Sequence, residues 1–311
     1  MTKRKSRVSK DNWPHKRYKD YQKELRDAAS AWFESKGRPV TSSSYILAEG
    51  WKDNMILDEV HRYVVDNDVR PLHQWLHHGL SSQAMLFNLV VPLITRKDTS
   101  PLEAAFTDAG IPWPQGGVRL QLEVEDRNVF KEFDNPQPTS IDLVIEGTGP
   151  TPGEPLFVEA KLSEKEFGGC NPFESGNCDG RNPARGQECY YQTIGRSYWD
   201  QMEVHGLLNN RLSDSLFCPF ASYSQFFREV LYALDKGGNF VLMYDDRNPA
   251  FISRRLEGDR GLFPFLFSLL PTEVQSRVHG ITIREVFNTI KVGQKHRDWI
   301  DQFAEKYGFK Q

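Results

Sequence analysis

The chain has 311 residues, with 39 Lys and Arg against 42 Asp and Glu, the balance of an ordinary globular protein able to bury a proper core. A net charge of −3 excludes a globally basic surface, so any contact with a polyanion has to come from a local patch. No apolar run reaches the roughly 20 residues that a bilayer demands, because LFPFLFSLLP closes on a proline and AMLFNLVVPLI is interrupted by Asn88 and Pro92.

The first segment, MTKRKSRVSK, is basic but has no apolar stretch of the secretory kind, so a cytoplasmic location is expected. Residues 1–25 hold nine Lys or Arg against three Asp or Glu, with Trp13, Tyr18 and Tyr21 between them. Residues 1–18 are therefore read as a flexible basic arm, solubilising rather than tracking nucleic acid. From 19 to 78 the pattern turns helical, with YQKELRDAASAWFESKG and NMILDEVHRYVVDN as its strongest signals, and is expected to form a helical layer leading into the core. His73, His77 and His78 in LHQWLHHG suggest a metal at i and i+4 of a helix, but no third ligand stands at a matching distance.

Ser81–Ile94 has apolar residues at helical spacing behind two serines suited to capping. Val118–Asp126 alternates, with Val118, Leu120, Leu122 and Val124 on one face and Glu123 and Glu125 on the other. SIDLVIEG and LFVEAKL alternate as well, and GTGPTPGEP between them is a turn. Leu156, Val158, Ala160 and Leu162 face one way, against Phe157, Glu159 and Lys161. Ile141, Leu143 and Ile145 likewise oppose Ser140, Asp142 and Glu146. Folding the pair into a hairpin brings Asp142, Glu159 and Lys161 to one polar edge.

After the hairpin comes a polar insertion over 165–215, containing GGCNPFESGNCDGRNPARGQEC. Cys170, Cys178 and Cys189 lie in it, and Cys218 follows shortly after. No tight C-x-x-C pair is present, yet a loop too polar to bury itself would be ordered by a structural ion, either Zn²⁺ or an iron–sulfur cluster on all four cysteines. Ala221–Gly238 is an amphipathic helix ending at two glycines, and Asn239–Asp246 is an apolar strand of the buried kind.

Paired carboxylates with a lysine suit phosphodiester cleavage. Their oxygens can hold Mg²⁺ or Mn²⁺, which lowers the pKa of bound water and offsets charge on the phosphate. Asp142 and the Glu159-Ala160-Lys161 triplet, on a hairpin, resemble the PD-(D/E)xK, or restriction-endonuclease-like, nuclease superfamily; Ile141 stands where its signature has proline. The order helix, three strands, helix, strand is the α-β-β-β-α-β core of that superfamily. SSQAMLFN, FVEAKLSEKEFG, GRSYWDQM, CPF…YSQFFREV and FVLMYDDRNPAF resemble a bacterial branch of it.

The resemblance implies an α/β fold with a central mixed sheet, an N-terminal helical layer, a nuclease-like domain over 79–311 and a Cys-containing insertion. It implies metal ligation by Asp142, Glu159 and the Ala160 carbonyl, with Lys161 activating or positioning water. It also implies that Gln225 and Arg228, one helical turn apart, contact phosphate or water, and that Gln83 replaces an acidic metal supporter. DNA is the expected substrate, RNA is not excluded, and a homodimer would serve double-strand cutting. A non-catalytic nucleic-acid-binding module and an end-dependent exonuclease are the competing readings. GTGPTPG is followed by a strand, not the helix a dinucleotide loop needs, and neither GxxxxGK[ST] nor G-x-S-x-G occurs.

Overall fold

A computed structural model describes residues 17–309 except 256–257, so the basic arm lies almost wholly outside the described residues. Helices α1 (Tyr18–Ser35), α2 (Asp58–Asp66), α3 (Ser82–Thr95) and α4 (Ser100–Asp108) precede strands β1 (Val118–Glu125), β2 (Ser140–Gly147) and β3 (Leu156–Lys161). The insertion carries α5 (Tyr198–Val204) and leads to α6 (Pro219–Asp235). Strands β4 (Asn239–Tyr244) and β5 (Val278–Thr282) then lead to α7 (Ile283–Val292) and α8 (Arg297–Tyr307).

The sheet is mixed, five-stranded and ordered β1-β2-β3-β4-β5. Strands β1, β2 and β3 form the expected antiparallel meander, whereas β4 runs parallel to β3 and β5 parallel to β4. Parallel neighbours need a crossover, and α6 supplies the one between β3 and β4. β5 was not foreseen: VHGIT is short and half polar, and it becomes a strand because β4 offers it an unpaired edge.

Alternation splits the core in two. Leu143, Ile145, Leu156, Val158 and Ala160 pack with α1–α4, α7 and α8, while Val144, Phe157 and Leu242 pack with α5 and α6. The N-terminal helices therefore share one face of the sheet with the C-terminal pair. Ser81 caps α3 as expected, accepting from the Ala84 N–H. The histidine segment is no helix: His73 to His78 run through turns, so the i, i+4 geometry read for His73 and His77 is absent.

One departure from alternation matters for the site. Ile141 packs on the α6 side, not with Leu143 and Ile145. The cause lies next door, where Glu123 of β1 adopts φ 54, a left-handed conformation unusual for a side chain with a Cβ. Regular pairing jumps from Leu122↔Leu143 to Val124↔Ile141, leaving Glu123 facing Asp142 outside the ladder. Pairing of β2 with β3 also ends at Leu143↔Val158, so the strands part where Asp142 and Glu159 begin.

Candidate active site

The parting of β2 and β3 exposes the Ala160 N–H, and Asp142 satisfies it: Oδ2 accepts that N–H at 2.8 Å. A carboxylate thus replaces a ladder carbonyl, which fixes its orientation towards β3. On β3, Lys161 Nζ lies 2.6 Å from Glu159 Oε1, and α6 closes a ring over this pair. Gln225 Nε2 donates to Glu159 Oε1 at 2.8 Å, while Gln225 Oε1 accepts from Lys161 Nζ at 3.0 Å.

Gln225 is aimed by a break in its helix. Tyr223 is non-helical, at φ −135 and ψ 35. Ser224 and Gln225 turn their N–H groups to Gly168 O and Phe167 O, at the start of the insertion. The far end of β3 is clamped separately. Leu162 O accepts from Tyr21 Oη of α1 and from Asn248 Nδ2, which also donates to Glu164 O at 2.7 Å. Asn248 belongs to the DDRNPAF block, so that block fixes the backbone immediately after Lys161.

Two further carboxyls join the cluster, and neither was singled out as a site residue in the sequence. Glu229, 1% exposed, lies one turn beyond Gln225, and its Oε2 has no hydrogen-bond partner. Glu123 Oε1 is likewise unpartnered, while Oε2 meets the Ser140 hydroxyl at the long distance of 3.5 Å. Desolvation, followed by repulsion from Glu159, pushes both Asp142 and Glu229 well above the usual carboxyl range. The same first cause pushes Glu123 up to about 8, opposed by the neighbouring Gln83 amide. Gln83 itself accepts from His73 N and donates through Nε2 to Pro71 O.

Burial alone would depress the Lys161 ammonium, but Glu159, Glu164, Glu229 and Asp142 outweigh it and raise its pKa. Lys161 is consequently cationic at any physiological pH. Glu159 and Lys161 are 3% and 5% exposed, whereas Asp142 and Gln225 are half-buried, so solvent reaches the cluster on their side.

Arg228 does not join this group. Its guanidinium sits 3.6 Å from the fully buried Glu132, which also accepts from Tyr198 Oη and from the Thr139 N–H. On a helix, i+3 and i+4 point about 100° apart. From Gln225, that turns Arg228 towards the insertion and leaves Glu229 on the sheet.

The donor set fits a hard divalent cation. Hard oxygens crowd together, two of them lack partners, and burial followed by mutual repulsion holds their protons on, a state that a dication would relieve. Among the described residues no three His, Cys, Asp or Glu side chains form a ready single-ion cage. Mg²⁺ does not need one, since it binds through one or two carboxylates plus water and phosphate.

The family model described as Restriction Endonuclease associating with ARP matches residues 4–308. No curated protein and no solved structure matches the chain.

Proposed function

The chain belongs to the restriction-endonuclease family associating with ARP, and from that premise we propose that it is a divalent-cation-dependent nuclease hydrolysing DNA phosphodiester bonds. The observation that carries the reading is the ring Glu159–Lys161–Gln225 set beside Asp142, at the point where two strands part. Asp142, Glu159 and the Ala160 carbonyl would hold Mg²⁺ or Mn²⁺, with Glu229 close behind Glu159. When bound, the cation lowers the pKa of water and neutralises charge on the scissile phosphate.

This chain's own residues divide the remaining work. Lys161 stays charged, so it serves as a hydrogen-bond donor and positive charge for the attacking water or the pentavalent phosphate, not as a proton acceptor. Gln225 holds Lys161 and Glu159 at fixed separation and can turn its amide to a phosphate oxygen. The unpartnered oxygens of Glu229 and Glu123 leave donors open to an entering cation, which would displace their protons. The family's description also names association with ARP, so a partner chain is an expected component of the working assembly.

The test is cleavage of supercoiled plasmid in Mg²⁺ or Mn²⁺, comparing the parent with Asp142→Ala and Lys161→Ala. Both variants are expected to lose nearly all cleavage while keeping the parent's circular dichroism. Nicking of closed circles argues for an endonuclease, and a parallel RNA arm separates the substrates. Variants as active as the parent would reject the site.

A further inference from the structure

Cys170, Cys178, Cys189 and Cys218 are spread over almost fifty residues, yet all four line one small cavity on the α6 side of the molecule. Backbone hydrogen bonds gather them. Cys170 N donates to Ala221 O at 3.2 Å and Cys218 N to Gly180 O at 2.8 Å, tying two turns of the insertion to the start of α6. Gly169 permits the approach, since a Cβ there would stand 2.2 Å from Glu174 and 3.1 Å from Ala221 O. Tyr191, Tyr198, Trp199 and Phe220 complete a mostly apolar wall. All four thiols are free, so no disulfide explains the convergence.

Backbone N–H groups lie close to the sulfurs. Cys178 Sγ accepts the Gly180 N–H at 3.4 Å. Backbone N–H groups of Phe173, and of Phe220 and Ala221, stand within hydrogen-bonding reach of Cys170 and Cys218 respectively. Arg181, paired with Asp179, also lines the cavity. Among the described residues no three ligand side chains stand close enough for one ion. Four thiols around an apolar cavity call for a larger core than a single zinc.

We propose that Cys170, Cys178, Cys189 and Cys218 ligate a [4Fe–4S] cluster that anchors the insertion to the start of α6. Each thiol gives up its proton on ligation, N–H···S bonds stabilise the charge of the tetrathiolate cluster, and the aromatic wall keeps water from it. Cys218 caps the helix that carries Gln225 and Glu229, so the cluster would also hold that helix against the sheet. This assignment is independent of the nuclease reading and stands or falls on metal content.

The full chain is to be purified without oxygen and assayed for iron, acid-labile sulfide and zinc. About four iron and four sulfide per chain, with a broad charge-transfer band in visible absorption, are expected. One zinc per chain without sulfide, or less than about half a cluster after anaerobic reconstitution with iron and sulfide, would overturn the proposal. Cys189→Ser should lose most of the iron while the parent keeps it. If that variant is insoluble, the parent's iron and sulfide content decides alone.

Discussion

Replacing Glu123 with glutamine tests whether the carboxyl cluster holds protons in the folded state. An ordinary glutamate in the unfolded chain loses its proton near 4.5, but the buried Glu123 keeps its own up to about 8. Between those limits the native state binds more protons than the unfolded state, so stability is complete below the lower value and falls as pH rises. Each unit of displacement corresponds to about 1.4 kcal/mol, which puts the total on the order of 4 kcal/mol by pH 8. Glutamine keeps the shape and the strained strand position and removes the titration. Urea denaturation without divalent cations, at half-unit steps from pH 5 to 8.5, gives the comparison. The two stability curves should run together near pH 5 and diverge by about 1.4 kcal/mol per unit above it, with Glu123→Gln the more stable protein at pH 8. Parallel curves across the range would refute the claim that Glu123 is protonated in the fold.

Because Asp142 and Glu229 must shed protons to receive a cation, the rise in melting temperature caused by Mn²⁺ should be larger at pH 8 than at pH 6 and vanish in Asp142→Asn; a pH-independent rise would contradict this. Gln225→Leu removes the group bridging Lys161 and Glu159 and should cut the cleavage rate about a hundredfold with little change in the unfolding midpoint. Arg228→Met should do the reverse, costing about 3 kcal/mol in urea by leaving Glu132 buried without its cation; lost rate at unchanged stability would return Arg228 to the substrate. Lys306 is buried and its pKa is depressed by that burial, so between the depressed and the ordinary value the unfolded chain holds a proton the folded chain lacks. Lys306→Met should raise stability at pH 7 by about 1–3 kcal/mol, since Asn54 O keeps the Asn88 amide as a donor.

Period-two alternation was enough to place Asp142, Glu159 and Lys161 together, because strand geometry is local and a Gly/Pro-rich turn leaves the hairpin little choice. The meander, α3, α6 and β4 were legible for the same reason: each is a long periodic segment with its own start and stop signals. Tertiary structure alone decided the rest. Glu123 enters the site through a left-handed residue and a parting of strands, neither of which has a sequence signature. The choice of Glu229 over Arg228 turned on a single residue, about 100° of helix rotation, on a helix interrupted at Tyr223. VHGIT became a strand only because an open edge awaited it, and four scattered cysteines met only because backbone hydrogen bonds folded the insertion onto α6. Periodicity fixes what a segment presents on each face; which neighbour that face meets depends on contacts between residues far apart in the chain, and those form only when the whole fold closes.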